Sequence, residues 1–529
     1  MMGQGQSPDL QAQSVRIPKK WPMVSRLQTR APITVPLPGG TLMPITKDAH
    51  LINGFAEFDP EDQEYWIYKR LSLGALQWSL GAGPGGGLYT NSQGFIYAVV
   101  SNELFEMGTT LAGSPVNIGT AGASNVAPPY YFTEGPQISS GSKYLIITNS
   151  AIHQNLAGTF VVYLNNALQA LTGTPPTQVG PGAVQLDGTV YVMDTFGAIW
   201  GSDIDNPVNW NPLNVIQANS DSDGGMLLAK QLSYVIAFKQ WSTQVFQDAG
   251  NATGSPLAAV PESQIPLGML DSSGFQSIDD TLFWITSNHD TSPQVARLDN
   301  LTPKIVSTPA VEKILANYYT LVSVFGSPIP VAHPQGLISW KFKWGGHRFY
   351  GLTIQQLNVT LVYDIDQDLW YYWTDPNGNF WPVASIAYQP NYVTTATSPN
   401  TFVGFRAAQH ATNGNIYSLD ASAMTPTDLG VLYPVDIYTP NLVLGNRRGQ
   451  LNAIYFTADQ TPGSFLQARY SDNDFQSWSN FRSVSLNQQK PAFFREGTIR
   501  SRRAYHFRHM CNTDFRIKSS GLQMDVGVL

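Results

Sequence analysis

Gly188-Thr-Val-Tyr-Val-Met-Asp, then Ala198-Ile-Trp-Gly-Ser, reads as a short apolar strand, a polar turn and a second strand that carries a large aromatic. Ser233-Tyr-Val-Ile-Ala-Phe and Thr243-Gln-Val-Phe-Gln-Asp repeat the pattern, and the two units start 45 residues apart, at 188 and 233. The strands are nearly continuous apolar runs rather than alternating ones, as expected where both faces of a strand are covered. A repeat of this length, built from hairpins that each leave an apolar face open, is the signature of β-propeller blades.

The pattern extends in both directions. Towards the N-terminus stand Gly94-Phe-Ile-Tyr-Ala-Val-Val with Glu103-Leu-Phe-Glu-Met, and Lys143-Tyr-Leu-Ile-Ile-Thr with Thr159-Phe-Val-Val-Tyr-Leu. Towards the C-terminus stand Thr281-Leu-Phe-Trp-Ile-Thr with Gln294-Val-Ala-Arg-Leu, and His347-Arg-Phe-Tyr-Gly-Leu with Thr360-Leu-Val-Tyr-Asp. A weaker pair joins Phe402-Val-Gly-Phe to Asn415-Ile-Tyr-Ser-Leu. The fold expected is all-β: a β-propeller of about six to seven blades over residues 61–432. A set of separate β-sandwiches is the rival. Residues 1–60 hold too many prolines for helix or central strand and read as an extended N-terminal arm. Residues 433–529 are richer in Arg and read as an added C-terminal β domain. One helix is expected on the outside of a blade, with Thr308 as N-cap, Pro309 in the first turn and an apolar stripe of Val311, Ile314 and Leu315.

Only 13 % of the 529 residues are charged, against 43 % hydrophobic, so the surface is covered largely by uncharged polar residues and Gly. The net charge of −7 is uneven. Residues 433–529 hold twelve Lys and Arg against seven Asp and Glu, and residues 1–30 hold five against one, which leaves −7 − 5 − 4 = −16 for the middle. An acidic middle argues against a tight nucleic-acid binder, which needs a basic patch to neutralise phosphates. The single cysteine, Cys511, permits no disulfide within the chain, which fits synthesis in a reducing cytoplasm. No apolar run approaches a membrane span, and the polar N-terminus predicts no signal peptide.

The chemical motifs are weak. Gly81-Ala-Gly-Pro-Gly-Gly fits GxGxxG in letters, but Pro84 argues against the helix that a dinucleotide site requires. Asp364-Ile-Asp-Gln-Asp-Leu resembles the start of a calcium loop, yet Leu369 stands where the loop needs glycine, so a hairpin turn is expected. His506, His509 and Cys511 are too few for a zinc site and read as strand packing. Ser471-Asp-Asn-Asp-Phe-Gln-Ser-Trp resembles an Asp-box, a self-bonded turn backed by Trp478. It is degenerate, with Asn473 for Asp and Phe475 for Gly, and it is structural rather than catalytic. Arg495, Arg500, Arg502, Arg503 and Arg508, interleaved with aromatics, are candidates for a subunit interface or for contact with DNA phosphate. No nucleophile, base, metal or cofactor constellation is expected, so the chain reads as non-enzymatic.

Several stretches, in order, resemble the packaged-DNA stabilisation proteins of short-tailed bacteriophages, the tail hub or nozzle family. They are Ala49-His-Leu-Ile-Asn-Gly-Phe-Ala-Glu, Leu186-Asp-Gly-Thr-Val-Tyr-Val-Met-Asp, Trp200-Gly-Ser-Asp-Ile-Asp-Asn-Pro-Val-Asn-Trp and Ile236-Ala-Phe-Lys-Gln-Trp-Ser-Thr-Gln-Val-Phe-Gln-Asp. Asp280-Thr-Leu-Phe-Trp-Ile, Ile305-Val-Ser-Thr-Pro-Ala-Val-Glu, Gly346-His-Arg-Phe-Tyr-Gly-Leu, Leu361-Val-Tyr-Asp-Ile-Asp-Gln-Asp-Leu-Trp and Arg469-Tyr-Ser-Asp-Asn-Asp-Phe-Gln-Ser-Trp follow. The resemblance implies a structural virion protein: a homo-hexameric ring below the portal and adaptor (head-to-tail connector) proteins, in contact with tail fibres or tailspikes. Viral double-stranded DNA would be retained by the ring and later pass through its channel. It implies no catalytic residues and no cofactor. The alternative reading is a glycan-binding or sialidase-like propeller of the tail tip, acting in host recognition.

Overall fold

The computed structural model describes residues 50–323 and 337–527, apart from 108–112, 123–128, 150–159, 252, 262, 289, 291, 394–401, 421–426 and 445–447; of the first 49 residues it describes only three short strands, Lys20–Trp21, Pro32–Pro36 and Leu42–Thr46. The extended arm expected over residues 1–60 therefore lies largely outside the described residues.

The chain forms two compact units. The larger, which includes Leu71–Tyr433, is a β-propeller. Among the described residues it holds seven antiparallel blades. Each blade has an inner, two middle and an outer strand, and in the third Thr172–Gly173 adds a short parallel strand at the outer edge. Their inner strands are Gly85–Thr90, Tyr130–Gln137, Val179–Leu186, Gly225–Gln231, Gly268–Ile278, Leu337–Trp344 and Val383–Val393. Each inner strand touches the next round the axis, and the seventh touches the first, so the ring is closed. The closing blade joins both ends of the unit. Its inner and middle strands are Val383–Val393, Phe402–His410 and Ile416–Asp420, and its outer strand is Ser72–Trp78, with Ile416 opposite Trp78 and Asp420 opposite Ser72.

Every strand pair picked out by apolar runs is the middle pair of a blade. Thr189–Asp194 with Ala198–Asp203, and Tyr234–Lys239 with Thr243–Asp248, are examples. Their residues are buried because blades stack face to face. One core joins Phe238 and Ile236 of blade 4 to Trp284 and Leu282 of blade 5; another joins Tyr191 and Ile199 of blade 3 to Phe246 and Val235 of blade 4. At about 25 cal/mol per Å² of apolar surface, this inter-blade burial is the main favourable contribution.

Close approach of backbones at the axis is made possible by glycine. A Cβ on Gly182 would sit 2.0 Å from the Leu228 carbonyl oxygen of the next inner strand, and away from the axis one on Gly268 would sit 2.2 Å from the Gln240 carbonyl oxygen, in the turn between the middle strands of blade 4.

The expected helix is present as Pro309–Ser323, with Val311, Ile314 and Leu315 buried. It differs from expectation at two points. The Thr308 hydroxyl makes no cap; it is buried with no hydrogen-bond partner among the described residues. The Glu312 carboxylate is instead held by Ser307 Oγ at 3.1 Å and Gln294 Nε2 at 2.9 Å, which fixes the first turn from outside the helix. The helix also reaches inward rather than only lying outside a blade: Tyr318 donates its hydroxyl proton to Asp271 on the inner strand of blade 5, at 2.8 Å.

The second unit draws on Thr46–Arg70 and Pro434–Leu529. One of its sheets runs in the order Ala492–Ile499, Arg448–Ala458, Arg516–Gly527, Glu64–Lys69, Gly54–Asp59. The other strands include Val435–Tyr438, Arg502–His509, Phe465–Ser471 and Arg482–Ser485. The two layers meet edge to face through Phe456 and Phe507, whose ring centroids are 5.0 Å apart.

Gly268→Ala is expected to lower unfolding free energy by about 3 kcal/mol, because the new methyl meets backbone atoms of blade 4 that cannot rotate away. Chemical denaturation would measure this, and an unchanged midpoint would refute this close approach between blades 4 and 5.

Candidate functional site

The candidate arginines divide into two groups. Arg503 is buried. It grips Asp472 with Nε at 2.6 Å and Nη2 at 2.7 Å, donates to the Glu496 carbonyl, and stacks 3.9 Å over the Tyr470 ring. Arg508 is held by Asp436, with Nε 2.7 Å from Oδ1, and lies over Phe481. These two guanidinium groups are occupied within the chain. Arg495, Arg500 and Arg502 are exposed, and Arg502 lies 3.7 Å from Asp474.

The degenerate Asp-box is a self-bonded turn. Ser471 Oγ accepts from the Phe475 amide at 3.0 Å, and Asn473 Oδ1 accepts from the Ser477 amide at 2.9 Å. Asn473 thus does with an amide what the motif's Asp does with a carboxylate. Trp478 packs behind the turn against Phe475, Tyr438 and His506. Phe475 adopts φ +68°, the left-handed region that explains why the motif has glycine there.

His506 and His509 are strand-packing residues. Arg469 Nε donates to His506 Nδ1 at 2.8 Å, and an arginine can only donate, so the His506 proton sits on Nε2 and is given to Asp436 at 2.7 Å. Burial would raise the Asp436 carboxyl, but hydrogen bonds from His506 and Arg508 hold it at about 2. Burial lowers the His506 pKa against the pull of Asp436. Burial, helped by the Lys69 ammonium, pushes His509 down to about 2. Among the described residues no group of His, Cys, Asp and Glu is arranged to hold a metal ion.

The calcium-like stretch is a hairpin turn between Val359–Asp364 and Leu369–Tyr372. Asp364 Oδ1 accepts from the Asp366 and Gln367 amides, while Oδ2 lies 2.7 Å from His347 Nδ1. The glycine run at 81–86 leads into the strand Gly85–Thr90, not a helix.

Two features of the propeller were not visible as motifs. One is an acidic face. The turns from inner to second strand and from third to outer strand all emerge on the same side of the ring. Blades 3, 5 and 6 present exposed Asp187, Asp205, Asp279, Asp280, Asp299, Asp366 and Asp368 there. Five of them have turn chemistry as their local cause: Asp187, Asp205, Asp279, Asp280 and Asp368 take φ between +47° and +60°, a conformation that Asp tolerates and most residues do not. Lys343 and Arg348 answer part of this charge, at Asp279 and Asp366.

The other feature is the axis itself, which is a cup rather than a tunnel. All seven inner strands line a cavity of about 480 Å³. Tyr131 of blade 2 crosses the axis, donates to the Ser272 carbonyl of blade 5 and meets the Phe275 ring at 6.5 Å. The cup lies on the acidic side, where Lys230 donates to the Gln185 carbonyl at 3.0 Å and Lys341 to that of Ser277.

Two outcomes follow. Because His506 and His509 titrate lower in the folded chain than the ordinary 6.5, the unfolded chain binds more protons below that pH. Stability should therefore be full above pH 6.5 and fall on acidification, by up to about 1.4 kcal/mol per pH unit per histidine. Denaturation midpoints between pH 7 and 5 would show it, and His509→Gln should flatten the slope. Trp478→Ala should cost about 3 kcal/mol, while Phe475→Gly, which trades ring contacts for relief of the left-handed backbone, should change stability by under about 1 kcal/mol. Equal losses in the two variants would contradict this account of the turn.

No curated protein gives a significant match to the chain. Similar solved structures include virginiamycin B lyase from Staphylococcus aureus, at 9% identity over 64% of this chain and 97% of that one, with a TM-score of 0.37. The computationally designed Ika8 protein is 10% identical over 65% and 99%, with a TM-score of 0.37. The extracellular domain of BT4673 from B. thetaiotaomicron is 10% identical over 88% and 65%, with a TM-score of 0.39. Likenesses this distant carry no argument about activity. Residues 67–324 match the family described as "Bacteriophage P22 Gp10, beta-propeller". Over those residues, from the closing strand through blade 5 and the helix, the resemblance read from the sequence holds: this span, just under half of the chain, matches the propeller of the phage stabilisation family.

Proposed function

We propose that this protein is a non-enzymatic virion subunit of a short-tailed phage, assembled as a hexameric tail hub or nozzle ring around the path of viral DNA. The observation that carries the reading is the row of exposed aspartates on one propeller face. A polyanion passing such a surface is repelled rather than bound, so DNA can be confined without adhering. The closed axial cup supports a conduit between copies, since a cavity of about 480 Å³ blocked by Tyr131 admits no duplex. Closed rotational symmetry is the usual way for identical subunits to surround such a path. The exposed Arg495, Arg500 and Arg502 suit contacts with neighbouring subunits, the portal and adaptor proteins, or tail fibres. The sialidase-like alternative expects arginines around a pocket, and none lines the cup among the described residues.

Electron microscopy of the purified protein, alone and with its adaptor ring, tests this. Six-fold rings with the conduit between propellers are expected. Monomers that fail to assemble even on the adaptor would overturn the reading. Converting Asp187, Asp205, Asp279 and Asp280 to Asn preserves turns that Asn also tolerates. It should raise duplex DNA affinity at low salt several-fold in a filter-binding assay, and unchanged affinity would refute the repulsion argument.

A further inference from the structure

We propose that the axial cup of the propeller is a binding site for a small molecule with a compact anionic head group, phosphate or carboxylate, on a flat apolar body. This goes beyond the ring-forming role and does not depend on it. The cup has the volume of a small-ligand pocket, at about 480 Å³, and it has a floor, because Tyr131 closes the axis against Ser272 and Phe275. Its charges are only partly offset, since the rim carboxylate Asp279 acts on Lys341 without pairing with it at contact distance. The carboxylate that lines it, Glu134, is committed to Lys143 at 3.1 Å and to the Ser92 amide. Its two ammonium groups, Lys230 and Lys341, donate only to backbone carbonyls and have no carboxylate partner at ion-pair distance among the described residues. Each ammonium has three protons to give, so donors remain for an anion. The wall offers a surface for the apolar body, where Tyr89 and Phe132 stack at 5.5 Å with their planes 5° apart.

The surrounding aspartates add selectivity. An extended polyanion meets the acidic rim, whereas one small head group can pass it and reach the two lysines. Concave walls strengthen that attraction relative to an open surface. The ligand class is thus a small amphipathic monoanion or dianion, not a nucleic acid strand.

Isothermal titration of the full-length protein with phenyl phosphate, benzoate and inorganic phosphate, in low salt, decides the matter. Phenyl phosphate or benzoate should bind at least ten-fold more tightly than inorganic phosphate, and the stronger of the two identifies the head group. The double variant Lys230→Gln with Lys341→Gln should weaken binding at least ten-fold. Phe132→Ala should reduce phenyl phosphate to the level of inorganic phosphate. Lys304→Gln, on the outer strand of blade 5, should change nothing. Absence of heat with all three probes at millimolar concentration in the wild type would overturn the proposal, whatever the variants do. So would binding that survives loss of both lysines in a variant whose circular dichroism is unchanged.

Discussion

Crowding at the propeller axis is the constraint from which the rest of this structure follows. Seven inner strands converge on one line, and the backbones of two of them come closer than a side chain allows at Gly182. That approach lets each blade press its full face on the next, which is where Phe238, Trp284, Tyr191 and Phe246 find their burial. The same convergence brings Tyr131 near enough to Ser272 to seal the centre. A looser ring would have an open pore and shallower cores.

The sequence was legible in proportion to how completely a strand is buried. Middle strands such as Thr189–Asp194 are covered on both faces, so their apolar runs stand out and mark every blade. Inner strands are disguised by the glycines that the axis demands: Gly85-Gly-Gly-Leu-Tyr-Thr looks like a loop and is a strand. Outer strands such as Leu257–Ala259 are short and half covered, with little pattern to read. The closing strand Ser72–Trp78 is hidden for another reason: its partner lies at the far end of the unit, and no local signal can announce that. The helix shows the limit of local rules. Thr308 has the right identity for a cap, but Glu312 is satisfied by Ser307 and Gln294 from outside the first turn.

The candidate sites divide along the same line. Composition finds the arginine-rich strand but does not tell which side chains face inward. Alternation turns Arg503 into the dry layer, onto Asp472 and Tyr470, and leaves Arg502 in water. The axial cup has no linear signature, because it takes a few residues from each of seven strands separated by whole blades. The acidic face was partly legible as the charge of the middle region. Its clustering on blades 3, 5 and 6 follows from topology, since the turns of these blades that hold Asp emerge at the same end.

The closing strand has a consequence for how the molecule is made. A side-chain hydrogen bond beside it, from Ser79 to Asn415, joins residues 336 apart in sequence. A ribosome delivers Ser72–Trp78 first and its partner Ile416–Asp420 several hundred residues later. Until then the strand's edge has no mate, and the early blades form an open arc with bare end faces. Loop-closure entropy makes this last pairing the slow one, and an open arc presents an edge on which a strand from another nascent chain competes with its own. The nascent chain is therefore exposed to exchange between copies through most of its synthesis, and that hazard ends only when the seventh blade zips shut.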